Sequence, residues 1–123
     1  MKKKTTAQLK KILWRYFSLF IRRRDKGICF TCGRRCEGKG YHAGHFIPKS
    51  ICGVVLYFDE RNVHGQCYNC NINLGGNHYI YGKKLGTMAD QLYADKLKFK
   101  DIVWGATEYE RKIAYYKEKT ACA

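Results

Sequence analysis

Cys29-Phe30-Thr31-Cys32 and, further along, Cys67-Tyr68-Asn69-Cys70 enclose His42, His45, Asn62 and His64. A CxxC turn places two thiolates close enough to share one ion, and zinc takes four such ligands in a tetrahedron. Cys29, Cys32, Cys67 and Cys70 are therefore expected to hold one structural Zn2+ that ties two distant knuckles together. Four thiolates leave no position open for water, so this site is closed. The chain has seven cysteines, so an all-disulfide scheme leaves at least one unpaired, and no βαβ context supports a redox CxxC. Cys36, four residues past Cys32, has a spacing that lets it compete for a ligand position. Cys52 and Cys122 have no ligand-like spacing and read as buried or free thiols.

Around this centre the chain is short and strongly basic. Its 123 residues fit a single domain, and a core of that size is helped by a metal staple. There are 24 Lys and Arg against 10 Asp and Glu, a net charge of +14, which seeks a polyanion. Nucleic acid is the expected partner, because a cationic surface gains by releasing the counterions condensed on phosphates. Ten tyrosines beside basic residues serve either to stack bases or to cover a thin core. No apolar run approaches the roughly 18 residues a membrane span needs. The basic start also lacks the apolar stretch and cleavage site of a signal peptide. A soluble, cytoplasmic protein with no membrane partner is expected.

The flanks read as helices. After a basic, frayed start at Met1 to Lys4, the segment 5–25 places Leu9, Ile12, Leu13, Tyr16, Phe17 and Phe20 on one side. Lys10, Lys11, Arg15, Ser18 and Arg22 fall on the other, and this basic face suits phosphate. Thr5 or Thr6 can cap the helix, Arg22, Arg23 and Arg24 suit its negative end, and Gly27 can close it. Residues 28–82 form the metal core: a knuckle over Ile28 to Gly40, a strand over Tyr41 to Ile47 ended by Pro48, and a second strand at Val54 to Phe58. A short helix follows from Asn71, interrupted at Gly75-Gly76. Residues 83–119 read as two helices opened by capping boxes at Thr87 and Thr107, the first with Leu85, Met88, Leu92 and Phe99 on one side. Tyr109, Ile113 and Tyr116 mark one face of the second. Arg34, Arg35 and Lys49 add basic groups for DNA within the core segment.

A closed zinc site leaves chemistry to the histidines and amides. Phosphodiester hydrolysis needs a base to activate water and a cation to stabilise charge at the phosphate. A neutral imidazole suits the first role, and oxygen or imidazole ligands suit the second. Asp59 and Glu60, set in a turn before Asn62, suit a structural or Arg61-pairing role instead. His78, with Asn77 beyond the glycine pair, reads as part of a polar loop.

His45 with Pro48, then Asn62, then Cys67-x-x-Cys70-Asn71 resembles the HNH (ββα-metal) nuclease pattern in its zinc-containing version, as in phage endonuclease VII. The segment Asp59-Glu60-Arg61-Asn62-Val63-His64-Gly65-Gln66-Cys67, with Ala43-Gly44-His45 and Gly76-Asn77, is similar to the lambda NinG (Rap) recombination-nuclease family. The similarity runs roughly from Ile21 to Leu92. It implies an α+β fold, a zinc-stapled ββα-metal core with flanking amphipathic helices at both ends, and one catalytic divalent ion, Mg2+ or Mn2+.

By motif position, His45 is the general base, Asn71 a ligand of that ion, and Asn62 a brace for the loop between the strands. His64 lies in the matching segment, as a ligand or a phosphate brace. The pattern's usual Asp or His before the base is Gly44 here, and the NinG-like Asp three residues earlier is His42. His42 reaches the ion only if a bulge at Ala43-Gly44 turns it to the face of His45.

The resemblance implies an endonuclease acting on branched recombination intermediates in the cytoplasm of a phage-infected host, as a homodimer that cuts a junction symmetrically. A non-catalytic zinc-ribbon module binding nucleic acid explains the charge and the cysteines equally well. It gives no reason for the spacing of His45, Asn62 and Asn71. An HNH nicking or restriction-type enzyme without structure selectivity is a third reading.

Overall fold

The computed structural model describes residues 2–121. Met1, of the basic start, and Cys122, read above as a thiol, lie outside the described residues. The elements run α1 (Thr6–Arg24), β1 (Tyr41–His45), α2 (Gly53–Tyr57), β2 (Val63–Cys67), one wide π-type turn at Asn69–Asn73, α3 (His78–Leu85), α4 (Thr87–Lys98) and α5 (Ala106–Ala121). The class is α+β, helices around a small two-stranded sheet.

Thr5 caps α1: its hydroxyl accepts from the Gln8 amide, and the Gln8 side chain accepts from the Thr5 amide at 2.8 Å. Leu9, Leu13, Phe17 and Ile21 recur every four residues and are buried. They form the larger core with Phe58, Val63, Tyr109 and Tyr116, which brings α5 along α1. A second core of Phe46, Ile47, Cys52, Leu56, Tyr81 and Leu92 joins the 46–58 segment to α3 and α4. Cys29, Cys67 and Cys70 make a third small cluster.

The end of α1 is fastened to β2 rather than left to its dipole. Arg24 donates to the carbonyls of Glu60 and Val63 at 2.9 and 2.8 Å, and Asp25 accepts from the Gly65 amide at 2.7 Å. Lys26 and Gly27 then turn the chain with positive φ, 56° and 78°.

β1 and β2 pair antiparallel from Tyr41↔Cys67 to His45↔Val63, every residue in register. Alternation puts Tyr41, Ala43 and His45 on one face and His42, Gly44, His64 and Gln66 on the other. There is no bulge at Ala43-Gly44, so the expected turn of His42 toward the face of His45 is not made.

Three further expectations are corrected. Val54 to Phe58 is not a strand: Gly53–Tyr57 is a helical turn that drops Leu56 into the second core, while Phe58 enters the first. The β-branched residues there follow this burial rather than their intrinsic preference, and Val63–Cys67 supplies the partner of β1 instead. The capping box at Thr87 is not formed, since Gly86 stands at the cap and makes no side-chain bond. Helix α5 starts at Ala106, so Thr107 lies inside its first turn.

Candidate active site and metal centre

The four Sγ atoms of Cys29, Cys32, Cys67 and Cys70 lie within 4.8 Å of one another, with Cys32 and Cys67 3.7 Å apart. Zinc–sulfur bonds of about 2.3 Å in a tetrahedron set sulfurs about 3.8 Å apart, so the donor set fits zinc. Cys36 is not in the group; its thiol faces the Arg34 carbonyl at 3.6 Å. Cys52 is buried in the second core.

Donors surround the cluster: the Thr31 hydroxyl at 3.3 Å from Cys29, the Cys70 amide at 3.4 Å from Cys67, and the Asn77 amide at 3.6 Å from Cys70. Burial resists charge on Cys29, but Thr31 and the backbone amides outweigh it and hold the thiol down at about 6. Burial pushes Cys32 up to about 12. A divalent cation held by Cys29, Cys32, Cys67 and Cys70 would draw all four to thiolate.

His45, at the end of β1, lies between two aromatic rings. Trp14 stacks on it at 5.2 Å and 20°, and Tyr57 tilts against it at 4.7 Å. Its Nε2 is 2.9 Å from the Tyr57 carbonyl oxygen. A carbonyl only accepts, so Nε2 carries the hydrogen and Nδ1 the lone pair. Burial first, then Lys49 and Lys10, lower its pKa to about 4 despite the Tyr57 carbonyl. The ring is therefore neutral at physiological pH.

His45 and Asn71 line one groove of about 250 Å³ together with Lys49 and His78. His78 is stacked on Phe46 at 4.6 Å and bonded to the Tyr93 hydroxyl at 3.0 Å. It begins α3 rather than sitting in a loop. Asn71 and Lys49 also line an adjoining groove that contains His42, Arg22 and Lys39.

His42 stands behind Asn71. Its Nε2 donates to the Lys39 carbonyl at 3.1 Å, which leaves Nδ1 to accept from the Asn71 amide nitrogen at 2.9 Å. Both ring nitrogens are used, and His42 orients Asn71.

Asn62 is fully buried. Its side chain accepts from the Ile47 amide at 2.8 Å and donates to the Ile47 and Leu56 carbonyls at 3.2 and 3.1 Å. It closes the loop between the strands and touches no groove, which makes it a positioning residue.

His64 is not brought to His45. It stacks on Phe30 at 4.1 Å, and its Nδ1 is 3.0 Å from the Tyr81 hydroxyl. That hydroxyl gives its hydrogen to the Gly44 carbonyl at 2.7 Å, so His64 donates to Tyr81. Burial, then Arg24, lower the pKa of His64 to about 4.

No carboxylate lines either groove. Asp59 pairs with Arg61 at 2.7 Å, and Glu60 accepts from the Tyr116 hydroxyl at 2.7 Å. Asn71 brings a neutral oxygen to both grooves, and Gln66, in neither lining, brings a second beside it. A Cβ built on Gly44 would lie 2.9 Å from Asn71 Oδ1 and 1.9 Å from Gln66 Oε1, so only glycine at 44 leaves room for these two amide oxygens. Amide oxygens are hard donors and fit Mg2+ or Mn2+.

Of the basic residues, Arg22 and Lys49 line the grooves. The Lys10 ammonium lies over the Tyr57 ring at 4.2 Å. Lys11 and Arg15 are exposed on α1, whereas Arg34 and Arg35 are exposed on the loop after Cys32, outside both grooves.

The family model for the bacteriophage lambda NinG protein matches residues 1–122. The chain belongs to the NinG family. It is 32% identical to NinG of Salmonella phage P22 over 106 residues, which cover 81% of this chain and 50% of that protein. It is 34% identical to NinG of Escherichia phage lambda over 80 residues, 64% of this chain and 38% of the relative. The chain thus spans half or less of the length of these NinG relatives. No solved structure matches it.

Within this NinG chain, sequence reasoning missed Trp14, Lys39 and Gln66. Trp14 flanks the apolar stripe of α1 and reads there as core. Lys39 sits in a glycine-rich loop with no pattern of its own. Gln66 carried a signal, a polar residue next to a zinc cysteine in the segment similar to NinG, but spacing assigns it no role. Among the described residues, no helix is long and apolar enough to cross a membrane.

Proposed function

We propose that this NinG protein is a metal-dependent endodeoxyribonuclease of the HNH kind, hydrolysing phosphodiester bonds in branched recombination intermediates. The observation that carries the reading is His45: a buried, neutral imidazole, its tautomer set by the Tyr57 carbonyl, on the wall of a basic groove shared with Asn71. In this reading β1, β2 and the turn bearing Asn71 are the ββα-metal core.

Lys49, Arg22 and Lys39 attract the DNA backbone into the grooves. Nδ1 of His45 takes a proton from water as that water attacks phosphorus, and Trp14 and Tyr57 hold the ring between them. Asn71, oriented by His42, offers Oδ1 to the ion. A bound Mg2+ or Mn2+ supplies stabilisation of the charge that develops on the phosphate. With no carboxylate in the grooves, the ion's affinity depends on phosphate oxygens, so metal and DNA bind together. Two chains supply the two active sites that symmetric junction cleavage requires.

A zinc module that only binds nucleic acid has the same charge and cysteines. It has no use for a neutral histidine held between Trp14 and Tyr57. Cleavage of a four-way junction, a matched linear duplex and single-stranded DNA, each with Mg2+ or Mn2+, separates the readings. The proposal expects the junction to be cut in preference. Equal cleavage of all three removes the branched substrate, and binding without cleavage of any removes the enzyme.

A further inference from the structure

Gln66 Oε1 is completely buried and accepts no hydrogen bond. Buried side-chain oxygens are rarely left this way. The amide is not reversible: Nε2 donates to the Gly76 carbonyl at 2.8 Å, a group that only accepts. It also donates to the Thr31 hydroxyl at 3.1 Å, whose own hydrogen points to Cys29 Sγ at 3.3 Å. Oε1 is thereby aimed over Gly44, 1.9 Å from where a Cβ would stand.

Asn71 Oδ1 faces the same volume, 2.9 Å from that point. Its amide is fixed in turn by His42, and His42 by the Lys39 carbonyl. Two acceptor oxygens, each fixed from behind, therefore converge on the space that a side chain at position 44 would take. Such a pair repels itself unless a cation or a donor lies between. On strand β1 this volume belongs to position 44, where the HNH pattern carries a ligand and this chain has glycine. The oxygen that fills it comes from the facing strand.

We propose that Gln66 Oε1 is a ligand of the catalytic divalent ion, paired with Asn71 Oδ1; the inference rests on the endonuclease reading above. Gln66 then joins the two metal centres, since the same side chain bonds Thr31 beside Cys29. The ion site is rigid on its protein side because the zinc knuckle holds it.

The test is paramagnetic broadening by Mn2+ in the presence of inorganic phosphate, which stands in for the DNA phosphate, read on the side-chain amide signals of the zinc-loaded protein. The Gln66 and Asn71 signals should vanish at far lower Mn2+ than those of Gln8 and Asn73. Gln66→Met, close in shape and lacking the oxygen, should weaken Mn2+ binding at Asn71 by about tenfold or more with its zinc retained. Wild type that binds Mn2+ and cuts DNA while the Gln66 signal persists overturns this inference alone, as does Gln66→Met with unchanged Mn2+ affinity or with lost zinc. Wild type that neither binds Mn2+ nor cuts DNA overturns the endonuclease reading itself.

Discussion

The Nε2–H of His45 is bonded to the main-chain carbonyl of Tyr57 at 2.9 Å, and this one contact decides which nitrogen the ring offers to a substrate. With Nε2 protonated, Nδ1 is the base. The carbonyl comes from helix α2, which also carries Leu56 into the second core. Packing of the 53–57 turn thus sets the protonation state of the candidate base.

A base works only when unprotonated, and burial holds His45 at about 4 instead of the usual 6.5. A lowered pKa keeps the base competent to lower pH. The rate of DNA cleavage should therefore stay level from pH 8 down to about pH 5 and fall only below that. A half-maximal rate at pH 6.5 or above contradicts the buried geometry. The same shift makes stability fall as pH drops from about 6.5 toward 4, because the unfolded chain then binds the proton more readily.

Asn62 makes three bonds to buried backbone. Asn62→Ala leaves the Ile47 amide and carbonyl without their side-chain partner and takes one bond from the Leu56 carbonyl, which keeps the Asp59 amide. A loss of about 3 kcal/mol is expected, read as a fall in Tm of roughly 10 °C. A change under about 2 °C shows that water replaces the amide at no cost.

The zinc claim separates the cysteines. Elemental analysis should find one zinc per chain. Cys29→Ser or Cys67→Ser should lose it and unfold the two knuckles, whereas Cys36→Ser and Cys52→Ser should keep it. Zinc lost with Cys36 would place that thiol in the ligand set.

Position, not charge alone, should decide which basic residues bind DNA. Arg22 and Lys49 line the grooves, and Lys39 does so with them. Each changed to Ala should lower the slope of log affinity against log salt by about one unit. Arg34→Ala, on the knuckle outside both grooves, should leave the slope unchanged. The opposite ranking would move the DNA path to the zinc knuckle.

Local rules made part of this legible in advance. The four-residue apolar spacing of Leu9, Leu13, Phe17 and Ile21 and the cap at Thr5 depend on neighbours in sequence, so α1 read correctly. The CxxC pairs carried their own geometry. Val54 to Phe58 misled because its state is set by which core receives Leu56 and Phe58, a tertiary fact. The roles of His42 and His64 depended on register: one unbroken ladder places both on the face opposite His45. Gln66 was hidden for the same reason, because its meaning lies in an absent side chain at Gly44, across the hairpin.

The central claim is that His45 activates water for phosphodiester hydrolysis. Single-turnover cleavage of a four-way junction with Mg2+ measures it most directly, comparing wild type with His45→Ala at matched zinc content and DNA affinity. The account predicts a rate loss of about 10²- to 10⁴-fold. Equal rates for the two proteins would contradict it.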